Sequence, residues 1–144
     1  MKQYDTKGSL GYWLTRSSRI ANQYFEDYLN EYDCVPNEYA ILNCIYNNRG
    51  HRPCEIAEYL NLDRGYITRK VAKLEQRGFI KRAVLDEDRR YIELSLTATG
   101  KKILPKLIQG SIQTNKKIAE VITQKEMDSL RKILHKLGSA DFLE

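Results

Sequence analysis

The segment 51–100 constrains the fold of this chain more than any other, because several local patterns follow one another there in a fixed order. Apolar positions repeat with helical spacing after Pro53 and again from Arg64 to about Arg77, which predicts two helices. Asn61 can adopt the left-handed conformation that ends the first helix, and Asp63 can cap the second. The pattern therefore predicts two helices joined by a tight turn.

Two short segments with strand periodicity follow these helices. Phe79–Val84 and Tyr91–Leu96 are typical of strands, and the apolar residues of the second alternate so that they fall on one face. Residues 86–90, which lie between the strands, are all charged. The two segments predict a hairpin with a charged tip.

Helical patterns also occupy both ends of the chain. An amphipathic helix is expected from about 8 to 30, and another from Pro36, because proline fits the first helical position. Thr97 can cap a fifth helix, and a capping box at 123–126 begins the last. The chain is therefore predicted to be one domain, 1–144, of a mainly α class with a small β-hairpin (α+β).

Apolar stripes in these helices predict which faces are buried. In the second helix the predicted core face consists of Tyr39, Leu42, Ile45 and Tyr46. The first helix and the last two carry more apolar surface than a short chain can cover alone. Association of two copies through these helices is the expected way to bury it. The alternative is a monomer with a self-contained helical layer.

Positive charge is concentrated in one part of the chain. From Arg64 to Arg82 there are seven basic residues and one acidic residue, a local net charge of +6, whereas residues 1–50 carry −1. Such a distribution indicates an anionic partner. The alternative is a solvated helix face.

The basic helix is expected to place cations opposite its apolar side. Ile67, Val71 and Leu74 define the buried side. Small residues on the opposite side let the backbone approach a groove, and arginine can bond a guanine edge or phosphates. The backbone N–H groups of the first turn also favour phosphate. The expected DNA contacts of this helix are Arg64, Gly65, Tyr66, Thr68, Arg69 and Lys73.

The hairpin tip carries two further cations. Arg89 and Arg90 are candidates to reach DNA, since an arginine in the minor groove gains from its negative potential. Asp88 is expected to orient Arg90 through a salt bridge. A divalent cation bound by the acidic residues 86–88 is the alternative, although the tip lacks the ligand spacing of a calcium loop.

The three cysteines, Cys34, Cys44 and Cys54, are expected to be buried free thiols, because no Cys-x-x-Cys pair occurs and the number is odd. A redox-sensing thiol is the alternative. The sequence contains no apolar run of membrane-spanning length and no secretory signal pattern. We therefore expect a cytoplasmic protein that contacts no membrane.

One set of residues resembles the MarR family of bacterial and archaeal regulators. Its members in this chain are Glu55-Ile56-Ala57, Leu60, Asp63-Arg64, Thr68-Arg69, Leu74-Glu75, Gly78-Phe79-Ile80, Arg82, Asp88-Arg89-Arg90 and Leu94-Ser95-Leu96-Thr97-Ala98-Thr99-Gly100. The resemblance covers nearly the whole chain. It implies a homodimeric winged helix-turn-helix protein with a DNA-binding part at about 35–97. The dimerisation part would be about 1–34 plus 98–144.

The resemblance further implies a transcriptional regulator that binds a pseudo-palindromic operator in double-stranded DNA, mostly as a repressor, and that is nucleoid-associated when bound. Many members release DNA when a small phenolic ligand binds, and some when a cysteine is oxidised. Peroxide-sensing members resemble one another in a first-helix cysteine, which this chain lacks. Zinc-sensing members cluster their ligands, whereas His51 and His135 are far apart in sequence. No metal and no cofactor are therefore expected.

Four residues are expected to line an effector pocket for a small aromatic ligand. Trp13 and Arg16 form an aromatic-plus-cation pair on the first helix, and Tyr39 and Tyr46 could line the same cleft from the second. The alternative is that these aromatic residues belong to the core or to a dimer interface.

Enzymatic activity is not expected, because the sequence shows no nucleophile-base-acid set, no phosphate-binding glycine loop and no metal constellation. The main alternatives to an effector-controlled regulator are a thiol-based redox-sensing regulator of the same fold and a winged-helix protein-interaction module that does not read DNA. Non-specific DNA binding is a further alternative, recognisable by equal affinity for all sequences.

Overall fold

The computed structural model of the chain describes residues 6–84 and 92–140. A short 3-10 turn at Thr6–Gly8 precedes α1 (Leu10–Asn30), α2 (Pro36–Tyr46), α3 (Pro53–Leu60) and α4 (Arg64–Gln76). The strands β1 (Ile80–Val84) and β2 (Ile92–Leu96) follow, and then α5 (Ala98–Ala119) and α6 (Gln124–Gly138). The predicted six helices and hairpin are confirmed.

The turn between α3 and α4 forms as predicted. Asn61 has φ 51° and ψ 50°, the left-handed conformation, so the chain leaves the axis of α3 at this residue. The Asp63 carboxylate accepts a hydrogen bond of 2.7 Å from the backbone N–H of Tyr66. This cap fixes the first turn of α4 next to the end of α3.

The antiparallel hairpin is fastened to the segment that precedes α3. Its register pairs Ile80 with Leu96 and Arg82 with Leu94. The Leu94 N–H donates to the His51 carbonyl oxygen at 2.7 Å, and His51 Nδ1 lies 3.1 Å from the Leu94 carbonyl oxygen. One backbone bond and one side-chain contact of His51 therefore connect the segment before α3 to the hairpin. The predicted tip residues Asp88, Arg89 and Arg90 lie outside the described residues.

The hydrophobic core lies between α2, α3, α4, the hairpin and the first half of α5. Its fully buried side chains include Ile41, Leu42, Ile56, Ile67, Val71, Leu74, Leu94, Leu104 and Leu107. Tyr46, predicted on the core face of α2, is 57% exposed, so this prediction is wrong. The buried stripe of α2 passes through Leu42 and Ile45, and a side chain one residue beyond Ile45 turns about 100° away from it.

The helices at the two ends of the chain keep apolar side chains in contact with solvent. We call the following residues the terminal apolar face: Leu10, Trp13, Leu14, Ile20, Tyr24, Leu130, Ile133 and Leu134. Leu29 in α1 and Met127 in α6 are the buried residues of these helices. None of the described helices has the length and apolar composition of a membrane-spanning segment.

The start of α5 is locked to the chain before β1. Thr97 accepts a hydrogen bond from the Gly100 N–H at 3.0 Å and donates one to the Gly78 carbonyl oxygen at 2.6 Å. A β-carbon at Gly100 would overlap the carbonyl oxygen of Phe79. The close approach of two backbones therefore requires glycine at this position.

Glu55 closes the N-terminus of α3. Its Oε2 accepts hydrogen bonds from the backbone N–H groups of His51 at 2.9 Å and Arg52 at 3.1 Å. These bonds hold the pKa of Glu55 below its usual value of 4.5, and the bond from His51 has the largest effect. Since the pKa is depressed in the folded protein, Glu55 contributes stability above its usual pKa, and the contribution is lost as the pH falls through the folded-state pKa.

We expect the substitution Glu55→Gln to lower the free energy of unfolding at pH 7 by up to about 1 kcal/mol, because a neutral amide is a weaker cap. The difference from the wild type should shrink as the pH falls from about 5 to about 3, where the wild-type carboxylate is protonated as well. Urea unfolding at a series of pH values measures it. Glu58→Gln, an exposed change on the same helix, serves as the control. An equal deficit at both ends of the pH range would contradict the prediction.

Candidate nucleic-acid interface

The two sides of α4 differ as the sequence predicts. Ile67, Val71 and Leu74 are fully buried against the core. Gly65, Arg69, Ala72, Lys73 and Gln76 lie on the exposed side. The core therefore fixes which face of α4 points outward, and this face begins with small and cationic residues.

Arg64 and Arg69 are the outward cations of α4. Both are exposed, and neither has an ion-pair partner within residues 6–84 and 92–140. The guanidinium of Arg69 reaches back over Gly65, since Nη1 lies 3.5 Å from the position that a β-carbon would occupy there. Two cations and a bare backbone thus share the first turns of the helix. The two guanidinium groups suit an anionic ligand, while the Tyr66 N–H of the first turn is already bonded to Asp63.

Tyr66 and Thr68, two further predicted DNA contacts, use their hydroxyl groups within the protein. The Tyr66 hydroxyl accepts a hydrogen bond of 2.8 Å from Asn37 Nδ2 on α2. The Thr68 hydroxyl donates to the Arg64 carbonyl oxygen at 2.8 Å. Tyr66 is half-buried and Thr68 is exposed. The Tyr66 bond therefore connects α4 to α2, whereas the Thr68 bond lies within α4.

Lys73, another predicted DNA contact, pairs with a carboxylate that the sequence reasoning missed. Glu38 on α2 is fully buried, and its Oε1 lies 3.3 Å from Nζ of both Lys70 and Lys73. Its Oε2 lies 3.1 Å from Nη1 of Arg77. We call these four residues the Glu38 cluster. A signal existed, since Glu38 falls on the same helical stripe as Leu42 and Ile45.

The net charge of the segment therefore overstates its outward charge. Arg82 on β1 bonds Glu75 at 2.7 Å, and three other cations belong to the Glu38 cluster. Among the described residues, the basic side chains of 64–82 without an acidic partner are Arg64, Arg69 and Lys81. Arg64 and Arg69 alone of these lie on α4.

Two of the four predicted effector residues, Trp13 and Tyr39, lie too far apart to share one cavity within a single chain. Trp13 is half exposed and donates from Nε1 to the Lys7 carbonyl oxygen at 2.8 Å, and Arg16 is exposed. Tyr39 packs edge-on against Phe25, with ring centroids 5.1 Å apart. Because Trp13 and Phe25 are twelve residues apart on α1, about 18 Å separate them along the helix.

A cleft of about 350 Å³ does lie beside Tyr39, between α2 and α3. It is lined by Tyr39, Ala40, Asn43, Cys44, Asn47, Arg49, Tyr59 and Leu60. Aromatic rings, two amides and one guanidinium thus line the same cleft. Its volume is within the range of small-molecule sites.

The cysteines differ in exposure. Cys34 and Cys44 are buried as predicted, but Cys54 is exposed, so the prediction for Cys54 is wrong. Cys54 lies in the first turn of α3, about 200° around the helix from the buried Ile56. Burial raises the pKa of Cys34 to about 11 and also raises that of Cys44. In the described part of the chain, no three metal-ligating side chains cluster.

We expect Cys54 to react first with a soluble disulfide reagent in the native protein. A pKa two units above the usual value lowers the thiolate fraction of Cys34 at neutral pH by about a hundredfold, and burial blocks access. In the Cys54→Ser variant no fast phase should remain until urea is added. Absorbance during thiol exchange measures the rates. A fast phase in folded Cys54→Ser would contradict the prediction.

Comparison with known sequences agrees with this geometry. The MarR family model matches residues 36–92, which contain α2, α3, α4, β1 and the first residue of β2. The HTH-type transcriptional regulator SarZ of Staphylococcus aureus is 31% identical over 97 residues, which are 67% of this chain. The matched segment spans 66% of SarZ, just under two thirds of its length.

Solved structures extend the likeness to the end helices. The transcriptional regulator PcaV of Streptomyces coelicolor, in complex with its natural ligand, has a TM-score of 0.87 at 21% identity, over 97% of this chain and 99% of PcaV. A MarR variant from E. coli complexed with operator DNA has a TM-score of 0.81 at 22% identity, over 89% of this chain and 92% of that chain. At such identities the likeness concerns the fold. From the family match, the named relative and the winged-helix architecture together, the chain belongs to the MarR family.

Proposed function

We propose that this protein is a sequence-specific DNA-binding transcriptional regulator. In this proposal a homodimer represses transcription from a pseudo-palindromic operator and is released by a small aromatic effector. Residues 35–97 form the DNA-binding part, and residues 1–34 with 98–144 form the dimerisation part. The observation that carries the proposal is the outward face of α4, where Arg64 and Arg69 have no acidic partner among the described residues. The MarR structure with operator DNA shares this fold.

The shape of α4 supports entry into a major groove. Gly65 and Ala72 leave the exposed side of the helix narrow, so the backbone can approach base edges. In helix-turn-helix proteins the N-terminal part of the second helix meets the bases. We assign base and phosphate contacts to Arg64, Gly65 and Arg69. Lys73 contacts phosphate while it remains paired with Glu38. The tip arginines Arg89 and Arg90, oriented by Asp88, contact the minor groove.

The terminal apolar face supports the homodimer. Leu10, Trp13 and Ile20 on α1 and Ile133 on α6 are about half exposed or more in one chain. Apolar surface of this extent on the first and last helices of the chain is typical of an interface. A twofold axis through it would present two copies of α4 to one duplex. Two half-sites one helical turn apart require a separation of about 34 Å between the copies.

The cleft beside Tyr39 supports the effector part of the proposal. It combines the Tyr39 and Tyr59 rings with the Arg49 guanidinium, which suits an aromatic carboxylate. A ligand there would contact α2, which packs against α4. Trp13 and Arg16 would take part from α1 of the partner. A small change in the spacing of the two α4 helices would then break the match to successive major grooves.

The thiol-sensing alternative receives less support. Cys34 and Cys44 are buried and their pKa values are raised, whereas sensing thiols are exposed and have lowered pKa values. Cys54 is exposed, but no described cation pairs with it. Effector binding is therefore the release mechanism that we propose.

The proposal is tested by selection from a random duplex library with the full-length protein, followed by fluorescence anisotropy. We expect one pseudo-palindromic sequence to be enriched and to bind at least about a thousandfold more tightly than random duplex. The affinity for random duplex should fall steeply as the salt concentration rises, since phosphate contacts dominate non-specific binding. Benzoate or 4-hydroxybenzoate at millimolar concentration is the first effector probe.

Three results would count against the proposal. Equal affinity for the enriched and random duplexes would indicate non-specific DNA binding. Absence of binding to either at low salt would favour the protein-interaction module. A monomer in sedimentation at the concentration of the binding assay would exclude the dimer mechanism.

A further inference from the structure

Glu38 is the charged side chain that the structure buries completely among the described residues. It lies on α2, one helix away from the proposed DNA contacts. A buried carboxylate is stable only when several donors surround it. Glu38 has three: Lys70, Lys73 and Arg77, and all three belong to α4 or its C-cap. One carboxylate therefore holds two turns of α4.

The spacing of these donors fixes α4 in two senses. Positions 70, 73 and 77 lie along one side of the helix, so a single carboxylate can reach all of them only when α4 has one rotation about its axis. It can reach both Lys70 and Arg77 only at one position along that axis. Apolar packing of Ile67 and Leu74 alone allows more freedom, because dispersion contacts are not directional. The ion pairs therefore restrict the rotation and the axial position of α4 more closely than the apolar core does.

Arg77 extends this connection to the end of α1. Its Nη1 donates to Glu38 at 3.1 Å, while its Nη2 donates to the Tyr32 carbonyl oxygen at 3.2 Å and lies 3.6 Å from Asp33 Oδ2. Its guanidinium carbon also lies 4.7 Å from the centre of the Phe79 ring. Tyr32 and Asp33 directly follow α1. The planar fork of arginine thus joins the proposed dimerisation helix to the C-terminus of α4.

We propose that Glu38 is the positioning residue of the DNA-reading helix and that Arg77 couples this position to α1. The inference rests on the proposed function. Glu38 contacts no DNA in this scheme. It sets the angle at which Arg64 and Arg69 meet the base edges, and Arg77 transfers a displacement of α1 to α4. A change in the dimer would thereby reach the DNA-binding surface without passing through the hydrophobic core.

The role predicts effects of opposite sign on two kinds of DNA. Loss of the carboxylate removes one negative charge, so the net charge of each chain rises by one unit, and it releases Lys70 and Lys73. Binding to random duplex should therefore become tighter. Binding to the selected operator should become weaker, because α4 loses its register and base contacts require fixed geometry. A loss of folded protein would instead lower both affinities by the same factor and leave their ratio unchanged.

The test compares Glu38→Gln with Glu75→Gln by anisotropy on the selected and random duplexes. Both changes remove one carboxylate that pairs with a basic side chain, but Glu75 is partly exposed and pairs with Arg82 alone. We expect the ratio of operator to random affinity to fall at least about tenfold for Glu38→Gln and less than about twofold for Glu75→Gln. Sedimentation and circular dichroism confirm that each variant is a folded dimer.

Arg77→Lys provides a second test that keeps both charges. One ammonium cannot reproduce the two-sided fork, so the bond to Tyr32 or the bond to Glu38 is lost. We expect the affinity ratio to fall about fivefold. This variant decides the question if Glu38→Gln does not fold. If Glu38→Gln folds and its affinity ratio is unchanged, the inference is overturned while the proposed function stands. If Glu38→Gln does not fold, an unchanged ratio in Arg77→Lys has the same consequence. A wild type that selects no duplex overturns the proposed function, and the inference with it.

Discussion

Replacement of Gly100 by alanine is expected to lower the free energy of unfolding by about 3 kcal/mol or more. The added methyl group would overlap the Phe79 carbonyl oxygen, which is backbone and cannot rotate aside. That oxygen also accepts a hydrogen bond of 3.1 Å from the Thr97 N–H. Relief of the overlap would therefore move α5 away from the hairpin and break this bond. Thermal unfolding at one fixed chain concentration measures the effect.

Gly138→Ala is the matched control for this substitution. Gly138 ends α6, and nothing lies within 4 Å of the position that its β-carbon would take. Alanine has the higher helix propensity, so the control should be neutral or stabilising by up to about 1 kcal/mol. Equal destabilisation of both variants would show that helix propensity, and not the overlap with Phe79, determines the result. A Gly100→Ala protein as stable as the wild type would disprove the steric argument.

The parts of the fold that follow from local chemistry could be predicted from the sequence. The turn before α4 is an example, because Asn61 and Asp63 act on backbone atoms within four residues of themselves. The buried side of α4 is another, since Ile67, Val71 and Leu74 define a helical stripe whatever they pack against. Such features depend on neighbouring positions in the chain, which a sequence displays directly.

The parts that depend on distant residues could not be predicted. Lys73 and Arg69 are both basic residues opposite the apolar side of α4, so the sequence does not distinguish them. Only the position of Glu38 on α2 makes Lys73 a paired cation and leaves Arg69 an outward one. Glu38 and its partners are separated by 32 to 39 residues. The cleft beside Tyr39 likewise depends on where α3 lies against α2. Local periodicity predicts the faces of helices, but it does not show which charges meet across them.

Reversal of charge at Arg69 is expected to weaken specific DNA binding strongly. Arg69→Glu removes an outward cation from each half of the proposed dimer and places a carboxylate near phosphates. The affinity for the selected operator should fall at least about a hundredfold, because each arginine contact contributes about 1–3 kcal/mol and occurs twice. Thermal stability should change little, since Arg69 is exposed and has no acidic partner among the described residues. Anisotropy and thermal unfolding measure the two quantities.

A matched control and a conservative variant identify what Arg69 contacts. Arg131→Glu makes the same charge change at an exposed position of α6, and we expect it to weaken operator binding less than about fivefold. Arg69→Lys keeps the charge but loses the bidentate geometry. If Arg69 contacts a base edge, the lysine variant should relax sequence preference at one position of each half-site. If it contacts phosphate alone, all sequences should be weakened equally. Retention of full operator affinity by Arg69→Glu would remove α4 as the DNA-reading element.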